Sequence, residues 1–132
     1  MTTLILGRSI LFVKDMEVMF AFYTDVLGLD ANSGTDDPDW RVLSSGGAEL
    51  ALHRMPPHWR DQVHIQSPPE VRESAVNKLV FWVDDLEAIC ADLRANNVTF
   101  TDNPYLNPPN EFIRADFIDP EGNVVQLSKE GA

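Results

Sequence analysis

The chain has 132 residues, of which 44% are hydrophobic and 23% are charged. This composition predicts a folded domain rather than a disordered chain. The formal net charge of −11 argues against nucleic acid as a partner, because surfaces that bind nucleic acid are basic. No apolar run approaches the roughly 20 residues of a membrane helix, and the start shows no signal peptide, so we expect a cytoplasmic protein with no membrane partner. The single cysteine, Cys90, excludes an internal disulfide and is expected to be a buried small hydrophobe.

The first half reads as a strand, a helix and a hairpin. Residues Arg8–Val13 are apolar and β-branched, which predicts a buried strand. Asp15 is a suitable helix N-cap, and Gly28 stands where a glycine would end that helix. Residues Trp40–Arg54 then predict two strands joined by a Gly-Gly turn.

The second half repeats this order after a long connection. Residues Met55–Ser74 contain two Pro-Pro pairs and predict an irregular segment with a short strand or one turn of helix. Lys78–Val83 predicts a strand, and Asp84 followed by Glu87 matches a capping box with Asp84 as the N-cap. Glu111–Lys129 predicts a strand, a turn and a strand.

The two halves can be overlaid. Asp85 lies 70 residues after Asp15, Gly122 lies 75 residues after Gly47, and their apolar neighbours match. The predicted fold class is therefore α+β, with two βαβββ modules that pack as a pair and form a curved half-barrel cleft for a ligand. The modules span about 5–62 and about 75–130 of a single domain, residues 1–132.

Three segments carry a family resemblance. They are "VKDMEVMFAFYTDVLGL" (Val13–Leu29), "VDDLEAICADLRANNV" (Val83–Val98) and "DPEGNVVQL" (Asp119–Leu127). With these segments the chain resembles the vicinal oxygen chelate superfamily, also called the glyoxalase/bleomycin resistance/dioxygenase superfamily. The resemblance implies a glyoxalase-like fold but leaves the activity open, because one fold hosts several chemistries.

The resemblance also implies four ligands for a divalent ion, two in each module. Carried over to this chain, these positions fall on Arg8, Lys78, Gln126 and either Ala51 or Glu49. Arginine has no lone pair to offer, and lysine could ligate only if deprotonated. We therefore expect no metal and no cofactor at these positions, and no catalytic residue is assigned. A second possible source of ligands was His53, His58 and His64, but their spacing matches no compact metal motif and predicts solvated or hydrogen-bonded side chains.

The same strands predict a ligand-binding surface. Because side chains alternate along a strand, Phe12 shares a face with Arg8, and Trp82 shares a face with Lys78. If Glu49 also faces inward, it could bridge the two cations in a cluster that captures a carboxylate or phosphate. The alternative is that the aromatic residues only fill the barrel while the cations reach its rim. The predicted ligand-binding residues are Arg8, Phe12, Glu49, Lys78, Trp82 and Gln126.

Further side chains could complete this surface. Arg41 and Arg114 occupy third-strand positions that could face the cleft, and Trp40, Trp59 and Tyr105 lie near loop ends, where they could cover a ligand. The alternative for these three aromatics is loop packing.

Three functions are compatible with these features. The leading one is metal-free binding of a small organic molecule, as in the bleomycin-resistance branch, by a homodimer that sequesters an aromatic or drug-like ligand. The alternative is a metal-dependent glyoxalase-type lyase or isomerase, or an extradiol-type dioxygenase. The third is a protein whose cleft has closed and which acts through its dimer surface.

Overall fold

The computed structural model describes residues 3–32, 34–101 and 113–129. Contacts between residues divide the chain into two compact units, Met1–His64 and Ile65–Ala132. Within the described ranges, no helix is long and apolar enough to cross a membrane.

The first unit is a four-stranded sheet with one main helical segment. Its elements are β1 Arg8–Val13, α1 Met16–Ala21, a π-helical segment Phe22–Val26, β2 Asp30–Ala31, β3 Trp40–Ser45, β4 Ala48–Arg54 and α2 Pro57–Arg60. The sheet has the order β1-β4-β3-β2; β1 runs parallel to β4, and the other neighbours are antiparallel. This confirms the predicted strand, helix and hairpin. The prediction that β1 is buried is wrong for the single chain, because β1 is an edge strand and Val13 is its one buried residue.

The helical segment formed by α1 and its π-helical continuation begins and ends where the sequence predicts. The Asp15 side chain accepts a hydrogen bond of 3.2 Å from the Val18 amide, which satisfies one of the free N–H groups of the first turn. Met19 is fully buried in the core. Gly28 has a φ of +80°, the left-handed conformation that glycine adopts without strain, and its amide donates to the Thr24 carbonyl.

Arg41 corrects one prediction, because it lies on the helix-facing side of its sheet. It pairs in register with the core residue Leu52 and is 4% exposed. Its guanidinium donates to both carboxylate oxygens of Glu17 on α1 and lies 4.7 Å from the centre of the Phe20 ring. Its Nε donates to the Asp37 carbonyl over 2.8 Å. The hydrogen bond from Arg41 holds the pKa of Glu17 below its ordinary value. Arg41 therefore anchors α1 to the sheet and does not face a ligand.

The second unit has the same order of elements as the first, and its described residues form three strands. The elements are β5 Leu79–Val83, α3 Leu86–Ala95, β6 Arg114–Ile118 and β7 Val124–Lys129. These strands have the order β5-β7-β6, with β5 parallel to β7 and β6 antiparallel to β7. Phe100 adds an isolated antiparallel bridge to Phe117. The predicted α+β class is confirmed; Glu111, at the start of the predicted hairpin, lies outside the described residues.

The cap of α3 corrects a second prediction. Asp85, not Asp84, is the N-cap, and its side chain accepts a hydrogen bond of 3.0 Å from the Ala88 amide. The capping box that starts at Asp84 is wrong by one residue, because the helix begins one residue later. Cys90, on the inner side of α3, is 1% exposed, as predicted, and burial raises the pKa of its thiol.

Part of the connection is tied to the β6–β7 turn by Arg72. The Arg72 amide donates to the Gly122 carbonyl, its Nε donates to the Glu121 carbonyl and its Nη2 donates to the Asn123 side chain, each over 2.9 Å. Gly122 lies so close to the backbone of Glu70 that a Cβ on Gly122 would be 2.3 Å from the Glu70 carbonyl oxygen. We call these three hydrogen bonds the Arg72 clip.

Candidate functional site

The register of the first sheet puts several predicted residues on one side. Arg8 lies opposite Glu49, and Phe12 lies opposite His53. Partners in adjacent strands project to the same side of a sheet, so these four side chains share one surface. We call the side that carries Arg8 the site face of the first sheet.

At one end of this face, Arg8 forms an ion pair. Its Nη2 lies 3.0 Å from Glu49 Oε1, and the two side chains are 42% and 36% exposed. Asn32 Nδ2 lies 3.4 Å from the other Glu49 carboxylate oxygen, and the Ser44 hydroxyl donates to Asn32 Oδ1 over 2.8 Å. The Arg8 guanidinium is 5.6 Å from the centre of the Trp40 ring. The pair is therefore a surface feature, in which the charge of Arg8 already has a carboxylate partner.

The other end of the face is a cluster of aromatic rings. The His53 ring centre lies 5.2 Å from that of Phe12 and 5.5 Å from that of Trp40. The Trp59 ring meets Phe12 edge-on at 5.1 Å and lies 6.0 Å from the ring of His58. His53 is half-buried and packs between the rings of Phe12 and Trp40, a contact that its sequence spacing did not indicate. Tyr105, the other predicted cover, lies outside the described residues.

The register also settles which residue of the first module matches Gln126. Ile10 lies opposite Ala51, and Val80, which is 70 residues after Ile10, lies opposite Gln126. Ala51 therefore holds the position equivalent to Gln126, and Glu49 lies two residues before it on the same face.

The second unit contains a polar cluster built around Asp116. Lys78 Nζ donates to Asp116 Oδ2 over 2.8 Å, and Gln126 Nε2 donates to Asp116 Oδ1 over 2.9 Å. The Asp116 side chain is 7% exposed, whereas that of Lys78 is 42% exposed. We call these three residues the Asp116 cluster. Sequence reasoning missed Asp116; the available signal was one carboxylate between the apolar residues Ala115 and Phe117.

The first strand of each unit carries exposed apolar side chains on its site face. Gln126 lies opposite both Val80 and Asp116, which sets the site face of the second sheet. Trp82 and Arg114 both lie opposite Ser128 and belong to that face, as predicted for Arg114. The exposed apolar residues of the two first strands are Ile10 at 42%, Phe12 at 37%, Val80 at 50% and Trp82 at 66%.

The side chains at the four implied ligand positions do not fit a divalent ion. Arg8 and Lys78 are cations, and each is hydrogen-bonded to a carboxylate that an ion would need. Ala51 has no donor atom, which leaves Gln126 as the one neutral oxygen donor among the implied positions. No group of three or more His, Cys, Asp or Glu residues that could hold a metal ion occurs in the part of the chain that the structure describes.

Each of the two α+β units has a strand, a helix and a hairpin in the same order along the chain, which is the order of a glyoxalase-like protein. The sequence model of the Glyoxalase/Bleomycin resistance protein/Dioxygenase superfamily matches residues 5–127, and the chain belongs to that superfamily. A comparison with curated proteins found no match.

Solved structures share the fold over nearly the whole chain. TnmS3, an antibiotic binding protein from Streptomyces sp. CB03234, is 27% identical, with a TM-score of 0.65 and 98% of each chain covered. A lactoylglutathione lyase from Agrobacterium tumefaciens is 21% identical, with a TM-score of 0.69 and coverage of 98% of this chain and 96% of that one. The bleomycin-binding protein from Streptomyces verticillus, complexed with copper(II)-bleomycin, is 19% identical, with a TM-score of 0.64 and 98% of each chain covered.

Proposed function

We propose that the protein binds and sequesters a small aromatic or drug-like molecule without using a metal ion. The observation that carries this proposal concerns the first strand of each unit. Exposed Phe12 lies on the same face as the cation Arg8, and exposed Trp82 lies on the same face as the cation Lys78. Flat apolar ligands stack on such rings, and a few polar groups fix their orientation. The proposed binding residues are Arg8, Phe12, Glu49, Lys78, Trp82 and Gln126.

The similarity to TnmS3 supports a drug-like ligand, since that protein binds an antibiotic and matches 98% of this chain. The metal-dependent lyase or dioxygenase requires ligands that Arg8 and Lys78 do not provide. The binding protein is therefore the function that these residues support best.

We also propose that the protein is a cytoplasmic homodimer. Light scattering during size-exclusion chromatography measures the dimer, and fractionation of cells that express the protein measures its location. A monomer at micromolar concentration contradicts the first part of this proposal, and recovery outside the cytoplasm contradicts the second.

A thermal-shift screen of aromatic antibiotics tests the central proposal, because a ligand that binds the folded state alone raises the melting temperature. Hits are then titrated while tryptophan fluorescence is followed, since Trp40, Trp59 and Trp82 lie on or beside the proposed faces. A screen in which no aromatic compound shifts the melting temperature contradicts the proposal.

Arg8→Ala should weaken binding of a confirmed ligand by about tenfold or more, because a hydrogen bond to a charged group contributes about 1.5–3 kcal/mol. The same change should lower the free energy of unfolding by no more than about 1 kcal/mol, because exposed ion pairs contribute little. Titration calorimetry and urea unfolding measure the two effects.

Arg54→Ala is the matched control for Arg8→Ala. Arg54 is also part of an exposed ion pair, 3.7 Å from Asp39, but it lies on the opposite side of β4 from Glu49. It should leave affinity unchanged. Equal affinities of wild type and Arg8→Ala would count against the assigned role of Arg8.

A further inference from the structure

We infer that the group that Lys78 recognises is a neutral hydrogen-bond acceptor, such as a ketone, quinone or amide carbonyl, carried by a fused-ring aromatic ligand. This inference rests on the proposed function and specifies its ligand. It replaces the capture of a carboxylate or phosphate by a cluster of Arg8, Lys78 and Glu49, because that hypothesis set two cations against one carboxylate and missed Asp116 beside Lys78.

The charge of Lys78 is already balanced. Asp116 is 5% exposed and accepts hydrogen bonds on both oxygens, at 2.8 Å from Lys78 and 2.9 Å from Gln126. A buried carboxylate at this distance cancels most of the field that an incoming anion would meet. A ligand carboxylate that reached Lys78 would also face repulsion from Asp116. The Asp116 cluster therefore does not favour a net negative charge.

Lys78 nevertheless keeps donors for a ligand. An ammonium group has three N–H bonds, and one is directed at Asp116. The Lys78 side chain is 42% exposed, so its other N–H bonds are accessible. A carbonyl oxygen can accept from them without adding charge. Asp116 acts as a positioning residue, because it holds Lys78 in place, and the hydrogen bond from Gln126 in turn fixes Asp116.

The neighbouring side chains favour a flat apolar body. Val80 and Trp82 lie on the same face as Lys78 and are 50% and 66% exposed. Trp82 lies four residues after Lys78, about 13 Å along the strand at the usual rise per residue. A fused-ring system lying along this strand would cover Val80 and reach Trp82 while its carbonyl meets Lys78.

The first unit shows the same charge balance. Arg8 is paired with Glu49 at 3.0 Å, and its guanidinium lies beside the Trp40 ring. In each unit a cation of the site face is thus paired with a carboxylate, and the same face carries an exposed aromatic ring. This second, separate pairing supports a ligand without net negative charge.

The test compares two probes with the same aromatic body, acetylnaphthalene and naphthoate. Wild-type protein should bind acetylnaphthalene at least about fivefold more tightly, a difference of about 1 kcal/mol. Raising sodium chloride to 0.5 M should leave the affinity for acetylnaphthalene unchanged, because its binding involves no net charge. Quenching of tryptophan fluorescence measures both dissociation constants.

Asp116→Asn removes the balancing charge while keeping the shape of the side chain and an oxygen that can accept from Gln126. It should raise the affinity for naphthoate by about tenfold and make it sensitive to salt, because Lys78 then lacks its counter-ion. The matched control is Asp92→Asn on the exposed side of α3, which makes the same change in net charge. It should leave the ratio of the two dissociation constants as in wild type.

Three results would overturn the inference. Tighter binding of naphthoate than of acetylnaphthalene by wild type, or an unchanged ratio in Asp116→Asn, contradicts it while leaving an aromatic-binding protein in place. Binding of neither probe by wild type overturns the proposed function and the inference together. If Asp116→Asn does not fold, the wild-type ratio and its salt dependence decide the question.

Discussion

Gly122 is a residue at which any side chain should be costly. Its φ is +80°, and a Cβ would lie 2.3 Å from the Glu70 carbonyl oxygen and 3.0 Å from the Arg72 amide. Both neighbours are backbone atoms that cannot move aside alone. Gly122→Ala should therefore lower the free energy of unfolding by about 2–4 kcal/mol, from the left-handed backbone and the overpacking together. Urea unfolding followed by circular dichroism measures the loss.

Gly47→Ala is the internal control for that measurement. Gly47 occupies the equivalent hairpin turn of the first unit, but a Cβ there would meet no atom within 4 Å. The free energy of unfolding of Gly47→Ala should stay within about 0.5 kcal/mol of that of wild type. Equal stabilities of the two variants would show that the close approach to Glu70 does not constrain the turn.

Single residues of the site were only partly predictable from the sequence. The alternation of side chains correctly placed Phe12 with Arg8, because a strand has a fixed period. Arg41 was offered for the cleft from its third-strand position alone, which does not reveal its partners Glu17 and Phe20 on the helix. Asp116 was missed because its partner Lys78 is 38 residues away, and such a contact is visible only after the strands pair.

At the scale of elements, the N-cap of α3 gives a direct test. Asp85→Ala should destabilise the protein by about 1 kcal/mol, because the Ala88 amide would lose its 3.0 Å acceptor. Asp84→Ala, which removes the same charge one residue earlier, should cost less than about 0.5 kcal/mol. Urea unfolding of both variants measures the difference. A larger loss in Asp84→Ala would restore the capping box that the sequence predicted.

Most elements were predictable because their signals are local. The apolar strands, the Asp15 cap and the Gly28 stop depend on neighbours within one or two turns. The elements that were missed lack such signals. Strand β2, Asp30–Ala31, is two residues long and exists through its pairing with β3. The π-helical segment Phe22–Val26 continues α1 without any change of apolar period.

At the scale of the whole molecule, metal content separates the proposed binding protein from the metal-dependent alternative. Purified protein dialysed against metal-free buffer should contain far less than one equivalent of metal by elemental mass spectrometry, because the cations Arg8 and Lys78 stand at the implied ligand positions. Chelator should leave the melting temperature unchanged. About one equivalent of Zn, Ni, Fe or Mn per chain would contradict this prediction and would favour a metal-dependent enzyme.

The Arg72 clip limits where the chain can be divided into two fragments without loss of its hydrogen bonds. Residues 65–76 follow the first repeat in the chain, yet Arg72 supplies donors to Gly122, Glu121 and Asn123 of the second. A fragment that began after residue 76 would leave those acceptors without their donors. For fragment complementation, or for recombination of halves between relatives, the chain is therefore best divided before Ile65. Residues 65–76 then stay in the same fragment as the β6–β7 turn to which Arg72 is hydrogen-bonded.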